Sequence, residues 1–162
     1  MEKKFELTDK FVFNTFGIKL FQIKCTKSFK YAKEGDLGGY VEKDENLDQE
    51  SDAWVYGDAW VCGNAQVCGD AQVCGNAQVC GNADIENDNN HCGFDCFGSC
   101  NRHTHAYLTK DNKVEITCGC FRGSIEEFEK KVEKTHSGTI YEKQYKAIIN
   151  VIKIKFGLTD LI

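Results

Sequence analysis

Residues 55–84 consist of five six-residue units: Val55-Tyr-Gly-Asp-Ala-Trp60, Val61-Cys-Gly-Asn-Ala-Gln66, Val67-Cys-Gly-Asp-Ala-Gln72, Val73-Cys-Gly-Asn-Ala-Gln78 and Val79-Cys-Gly-Asn-Ala-Asp84. Each unit places Ala four positions after Val, so both side chains point to the same side of an extended chain. Gly followed by Asn or Asp tolerates positive φ and lets the chain turn once in each unit. A period this short is typical of a parallel β-helix, with Val and Ala filling its narrow interior.

The composition restricts where the chain can work. No apolar run approaches the ~20 residues that span a bilayer, and no apolar segment follows Met1-Glu-Lys-Lys4. We therefore expect no membrane partner, no signal peptide and a cytoplasmic protein. Its ten cysteines would stay reduced there, and those of the repeat are interpreted as small packing residues. The net charge is −5, and residues 34–88 carry thirteen Asp and Glu against one Lys. This acidity follows from the Asp and Asn that the turns require, or it serves to meet a basic partner or to mimic nucleic acid; direct binding of nucleic acid is not expected.

The segments on either side of the repeat are expected to close its two open ends. Alternating apolar residues predict strands between positions 5 and 31, and the Gly-rich stretch at 35–40 is interpreted as a bend. Beyond a polar break at 86–90, a hairpin is predicted from strands at 104–109 and 113–118. Ser124 and Glu127 have the spacing of a capping box that begins one helix, and a second helix is predicted from Tyr141 to Lys155.

Several motifs outside the repeat carry a family resemblance that covers nearly the whole chain. They are Glu6-Leu-Thr-Asp9, Gly35-Asp-Leu-Gly-Gly-Tyr-Val-Glu-Lys43, Glu45-Asn-Leu47, Asp52-Ala-Trp-Val-Tyr-Gly-Asp-Ala59, Gly98-Ser99, Asn101, Cys118-Gly-Cys-Phe121, Gly123, Glu126-Glu-Phe128 and Thr135-His136. Together they resemble a group of hexapeptide-repeat proteins encoded largely by phages and prophages. Those relatives have Gly-Ser-Arg-Asn where this chain has Gly98-Ser-Cys-Asn101, and they lack several of the cysteines between positions 92 and 100.

The resemblance implies a left-handed β-helix of triangular coils, each of about 18 residues, and it implies a homotrimer. In such coils Cys62 stacks on Cys80. The flank that carries Trp54, Tyr56 and Trp60 is too apolar for a lone chain, so it would pack against a neighbouring subunit or against the chain's own ends.

The predicted fold class is therefore mainly β, a short left-handed parallel β-helix with an N-terminal β segment and a C-terminal α+β cap of one hairpin and two helices. The predicted divisions are 1–40 for the N-terminal segment, 41–88 for the repeat and 89–162 for the C-terminal lobe.

Two other classes of function remain open. Hexapeptide-class acyltransferases use a histidine as general base beside coenzyme A, but all four histidines of this chain lie beyond the repeat. A zinc-stabilised structural or interaction protein is the second class, because soft ligands cluster just after the repeat, although without the paired CxxC spacing of a zinc ribbon. The weak metal candidates are Cys92, Cys96, Cys100 and His91. We assign no catalytic residue, expect no enzyme, and consider zinc alone as a cofactor.

Donor side chains in the C-terminal lobe favour an anion or nucleotide site. They are Ser99, Asn101, Arg102, His103, Thr104, His105 and Arg122. Arginine binds phosphate through two parallel hydrogen bonds, and hydroxyl and amide groups complete such pockets. We expect Arg102 and Arg122 to hold phosphate and Asn101 or His105 to read a base. The alternative is a solvated hairpin edge.

The sequence thus predicts a non-enzymatic, phage-type accessory protein that acts by binding in the host cytoplasm. The expected activity is evasion of host defence. The C-terminal lobe would sequester a nucleotide-like signal, or the trimer would block a host defence protein through its acidic flank.

Overall fold

The computed structural model describes residues 2–159, so Met1 and residues 160–162, at the outer ends of the first and third predicted segments, lie outside the described residues. The strands are β1 (Phe5–Phe13), β2 (Lys19–Cys25), β3 (Leu37–Val41), β4 (Trp54–Val55), β5 (Trp60–Val61), β6 (Gln66–Val67), β7 (Gln72–Val73), β8 (Gln78–Val79), β9 (Asp84–Ile85), β10 (His91–Phe97), β11 (Arg102–Leu108), β12 (Val114–Cys118) and β13 (Phe121–Ser124). The helices are α1 (Ile125–His136) and α2 (Ile140–Lys155). Within residues 2–159, neither helix is long and apolar enough to cross a membrane.

The repeat units form strands of two residues that pair in parallel with the strand eighteen positions later. Val55 pairs with Val73, Val61 with Val79, and Val67 with Ile85. The Gly of each unit has φ between 56° and 66°, which turns the chain between strands. The Val and Ala side chains are at most 1% exposed and form one continuous core.

The predicted fold class, a mainly β chain built on a short left-handed parallel β-helix, is wrong. The chain is mixed, with 22% helix and 37% strand, and no long parallel solenoid is evident among the described residues. Instead there is a five-stranded mixed sheet (β1-β2-β3-β5-β8), a four-stranded antiparallel sheet (β10-β11-β12-β13) and the pairs β4–β7 and β6–β9. Because each repeat strand contributes only two residues, the longer antiparallel strands and the helices dominate the secondary structure.

The Gly-rich stretch interpreted as a bend lies largely within strand β3. A Cβ atom on Gly38 would lie 2.6 Å from Ile23 Cγ1, and one on Gly39 would lie 2.6 Å from the Ala59 carbonyl oxygen. Without these Cβ atoms, β3 fits between β2, with which it is antiparallel, and β5, with which it is parallel.

The apolar flank of the repeat is covered by the chain's own N-terminal segment. The Trp54 ring packs edge-on against Phe5 and Phe29, with ring centroids 6.4 Å and 5.4 Å apart, and Trp60 packs against Phe16 at 6.1 Å. Both indoles are buried. The flank is therefore shielded from water without a second subunit. The homotrimer stays a prediction.

The C-terminal sheet has two different faces. One face packs Ala106, Ile116 and Cys118 against the apolar sides of α1 and α2. The other lies on the repeat, where Tyr107 joins the core of the repeat and Thr117 Oγ1 donates to the Gln78 carbonyl oxygen at 2.7 Å. This second face brings polar side chains of the sheet into a buried layer.

Replacing Val61 with Ala tests the interior of the repeat. Val61 is fully buried and lies in a ladder between Val41 and Val79. The backbone hydrogen bonds hold this interior open, so the lost methyl groups leave a cavity, and we expect the free energy of unfolding to fall by about 2 kcal/mol in urea titrations. The control Val151→Ala removes the same atoms from the exposed side of α2 and should change stability by less than about 0.5 kcal/mol. Equal losses in the two variants would contradict the packed interior.

Candidate functional site

Strand alternation divides the predicted donors between the two faces of the C-terminal sheet. Thr104 is fully buried on the helix side and donates to Cys118 Sγ at 3.3 Å. Arg102, two residues earlier on β11, points to the same side. His105 and Arg122 lie on the opposite side, because both pair with Thr117, which contacts the repeat. The structure therefore does not bring Arg102 and Arg122 together around one phosphate.

Three histidines and two aspartates form a hydrogen-bonded chain on the face toward the repeat. His91 Nδ1 lies 3.0 Å from His105 Nε2, and His105 Nδ1 lies 3.0 Å from His103 Nε2. At one end His103 Nδ1 lies 2.6 Å from Asp95 Oδ1, and at the other His91 Nε2 lies 3.3 Å from Asp88 Oδ1. Among the predicted ligands, His103 and His105 are thus brought together, with the metal candidate His91 beside them.

Local features of the chain position these histidines. Asn87 caps the short 3-10 turn Asp88–Asn90 and thereby sets Asp88 next to His91. A Cβ atom on Gly93 would lie 2.6 Å from His103 Cε1, so only Gly leaves room for the ring there. Cys96 has φ 66° in the bulge of β10, and this bulge places Asp95 beside His103.

The histidine chain has four hydrogen-bond contacts, which is one more than the N–H hydrogens of three neutral rings can supply. Three neutral imidazoles carry three N–H groups, whereas four contacts link the rings to one another and to the two carboxylates. A fourth hydrogen, carried by one protonated ring, completes all four hydrogen bonds. The chain therefore binds at most one proton without losing a contact, and a carboxylate stands at each end to balance its charge.

Burial opposes protonation at two of the three rings. It lowers the pKa of His105 well below its ordinary value, and the neighbouring His91 and His103 lower it further. Burial also lowers the pKa of His91, although the hydrogen bond to Asp88 acts in the opposite direction. Both rings thus resist protonation in the folded protein. His105 has both nitrogens engaged and is buried, so it does not face a ligand as expected for a base-reading residue.

Arg122 belongs to a second polar cluster on the same face. Its Nε lies 3.6 Å from Glu115 Oε1, and its Nη1 donates to Cys80 Sγ at 4.0 Å. Tyr107 donates its hydroxyl hydrogen to Glu115 Oε1 at 2.6 Å, and its oxygen lies 3.6 Å from Cys80 Sγ. Sequence reasoning did not predict this cluster. The position of Cys80, eighteen residues after Cys62, was the signal that could have identified Cys80 as one of its members.

Arg102 lines a small cavity of about 90 Å³ between the sheet and the helices. Two further basic residues, Lys131 and His136, line the same cavity. Its aromatic wall includes Tyr145, on which the His136 ring stacks with centroids 5.5 Å apart and planes inclined by 28°. The cavity is therefore a place where positive charge meets aromatic surface.

Ser99 and Asn101 lie in the exposed turn that precedes Arg102. The turn is closed by the Asn101 N–H, which donates to the Gly98 carbonyl oxygen at 3.3 Å, and Asn101 has φ 48°. A Cβ atom on Gly98 would collide with the Tyr145 hydroxyl, and the Gly98 N–H donates to Gln144 Oε1 at 2.9 Å. The turn thus borders the Arg102 cavity on the side of Tyr145.

The metal candidates do not converge. Cys92 packs on the helix side of the sheet, Cys96 and Cys100 are exposed, and His91 belongs to the histidine chain.

Between residues 2 and 159, the set of three groups close enough to hold an ion is Cys68, Asp84 and Glu86, whose ligand atoms all lie within 4.8 Å of one another. Cys68 and Glu86 are eighteen residues apart, so the eighteen-residue offset of the paired strands could have identified them as neighbours. A thiolate with two carboxylates suits zinc and would leave one coordination position open.

Comparison with known proteins found neither a matching protein-family model nor a matching curated protein.

The histidine chain predicts a loss of stability in acid. The unfolded chain binds protons on all three rings below about pH 6.5, whereas the folded His91 and His105 stay neutral to lower pH. The unfolded state then carries the extra protons, so the free energy of unfolding should fall by about 1.4 kcal/mol per pH unit for each such proton as the pH drops below 6.5.

The measurement is urea denaturation between pH 7.5 and pH 5.0. His105→Asn, which cannot take up a proton, should have a shallower slope than the unaltered protein. Val151→Ala, at an exposed position that takes up no proton, should keep the original slope. Identical slopes in the unaltered protein and in His105→Asn would show that the chain does not govern acid stability.

Proposed function

We propose that the protein is a non-enzymatic accessory protein that binds the phosphate group of a nucleotide-like molecule in the Arg102 cavity. One observation carries this proposal. Arg102, Lys131 and His136 line one cavity, and the lining residues that the structure describes include no carboxylate. Arg122 is the weaker candidate for phosphate, because Glu115 already neutralises its guanidinium.

The size of the cavity limits what enters it. About 90 Å³ accommodates a phosphate group, whereas sites that enclose drug-sized ligands usually exceed ~300 Å³. The remainder of the ligand would therefore lie outside, over the turn that presents Ser99 and Asn101. Asn101 keeps its proposed role as a base-reading residue, and His105 does not.

The biological setting comes from the resemblance to phage and prophage proteins. We propose that the protein evades host defence in the host cytoplasm by sequestering a nucleotide-like signal, and this activity needs no cofactor. A homotrimer remains part of the proposal. Its contact would use the tip of the β1–β2 hairpin, where Phe11 and Phe13 are 46% and 65% exposed, rather than the covered flank of the repeat.

A second candidate function, the capture of a basic host defence protein, is favoured by one groove. Asp44, Glu45, Asp48 and Glu50 line a cavity of about 490 Å³ beside β6. Four carboxylates around one groove complement a basic surface, and such an association would weaken with salt.

Binding of adenosine monophosphate, compared with adenosine, tests the proposed phosphate site. Calorimetric titration of the full chain should show binding of the monophosphate and none of the nucleoside. Arg102→Ala should weaken binding by at least about tenfold, because a charge-assisted hydrogen bond contributes roughly 1.5–3 kcal/mol. Lys131→Ala should weaken it as well.

Lys130→Ala is the matched control, since it removes the same charge from the next position of α1 but lies outside the cavity lining. Its affinity should equal that of the unaltered protein. Equal affinities for Arg102→Ala and Lys130→Ala, or equal binding of nucleoside and nucleotide, would refute the phosphate site.

A further inference from the structure

Cys62 and Cys80 are the two cysteines of the repeat that stand eighteen positions apart, so they occupy stacked positions. They directly follow the paired residues Val61 and Val79, and the Cys62 N–H donates to the Val79 carbonyl oxygen at 2.9 Å. Neighbouring strands lie about 4.8 Å apart, and a disulfide joins Cα atoms about 4.4–6.8 Å apart. Both thiols are free in this structure. The backbone already has the spacing that a bridge between them requires.

The surroundings of Cys80 favour its thiolate. Hydrogen bonding with Cys62, Tyr107 and Arg122 lowers the pKa of Cys80, although burial opposes this effect. Among these neighbours, Arg122 Nη1 donates to the Cys80 sulfur at 4.0 Å. The pKa of Cys62 is raised, with Cys80 as the main cause. The two thiols therefore differ, with Cys80 as the nucleophile and Cys62 as its proton-bearing neighbour.

A cavity of about 400 Å³ lies beside Cys62 and Cys80. Its lining includes Cys62, Cys80 and Arg122, together with Phe16, Ile18 and Cys120. Cys80 is 2% exposed and Cys62 has no exposed surface, so a small molecule in this space reaches Cys80 rather than Cys62. A hydroperoxide is small enough to enter this space, where Arg122 Nη1 lies beside the Cys80 sulfur.

We propose that Cys80 and Cys62 are a redox pair in which Cys80 reduces a hydroperoxide and Cys62 then closes a disulfide. The Cys80 thiolate attacks one oxygen of the hydroperoxide, an S–O bond forms, the O–O bond breaks, and the leaving oxygen takes a proton to become an alcohol or water. The Cys62 sulfur then attacks the sulfur of the Cys80 sulfenic acid. An S–S bond forms, the S–O bond breaks, and hydroxide leaves with the Cys62 proton as water. Two thiols give up two electrons, and a dithiol reductant restores them by exchange.

This inference is independent of the proposed phosphate site, which lies on the other face of the sheet. It differs from a simple packing role in one respect. Packing explains two buried cysteines, and the ion pair with Glu115 explains the position of Arg122, but neither requires Arg122 Nη1 to lie 4.0 Å from the Cys80 sulfur beside a cavity.

The test is treatment of the reduced, full-length protein with an equimolar amount of hydrogen peroxide. Intact mass should fall by two hydrogen atoms, and peptide mapping should find Cys62 joined to Cys80. In Cys62→Ser, dimedone should trap a sulfenic acid at Cys80. Arg122→Gln should slow the reaction by roughly tenfold, because it removes the charge beside the sulfur. Cys74→Ser, at an exposed position of the repeat, is the control and should react like the unaltered protein.

The peptide map of the unaltered protein decides the question even if a cysteine variant fails to fold. Oxidation spread over exposed Cys74, Cys96 and Cys100, with Cys62 and Cys80 still reduced, would overturn the proposal. A bridge between Cys80 and Cys120 would also overturn it, because Cys62 would then not be the partner.

Discussion

The structure depends on the narrowness of the interior that the repeat encloses. Parallel ladders with an eighteen-residue offset bring Val onto Val and Ala onto Ala, and these side chains fill the space completely. No room remains inside for a titratable group or a ligand. Any chemistry must therefore lie on the outer surfaces of the repeat or in the segments that cover them.

Covering such a surface imposes its own requirement, because its turns leave backbone carbonyl groups that need donors. The C-terminal segment supplies them. Thr117 Oγ1 donates to the Gln78 carbonyl oxygen, the Lys110 N–H to that of Asn82, and Lys110 Nζ to that of Asn64, at 2.7–2.9 Å. The face of the sheet that lies on the repeat must therefore be partly polar. This requirement is compatible with a buried chain of histidines and a buried tyrosine in the same layer, whereas the opposite face could be purely apolar against the helices.

The sequence predicted what depends on local periodicity. The eighteen-residue pairing of Val61 with Val79 follows from the six-residue unit, and the capping contact between Ser124 and Glu127 follows from their spacing. The fold class was missed because two-residue strands contribute little to a chain whose longer strands are antiparallel. Gly38 and Gly39 were misread as a bend, since the composition of a stretch does not reveal that its neighbours lie too close for a Cβ atom.

The candidate site was only partly predictable, because its grouping depends on strand faces. Alternation along β11 assigns Arg102 and Thr104 to one side and His103 and His105 to the other, so a cluster that is compact in sequence is divided in space. The partner of His105 on β10 is Gly93, which precedes the stretch 99–105 that was interpreted as one pocket. Only the antiparallel register reveals this pairing.

The two arginines show how neighbours rather than residue type decide a role. Both flank the turn that joins β12 to β13, and Cys120 in that turn lines both of their cavities. Arg122 faces Glu115 and the Cys80 sulfur, so its charge is used within the protein. Arg102 shares its cavity with Lys131 and His136 and, among the described lining residues, with no carboxylate, so an anion that enters the cavity meets basic side chains alone. Two arginines beside the same turn therefore differ in role: Arg122 contacts a thiol, whereas Arg102 is suited to bind a phosphate group.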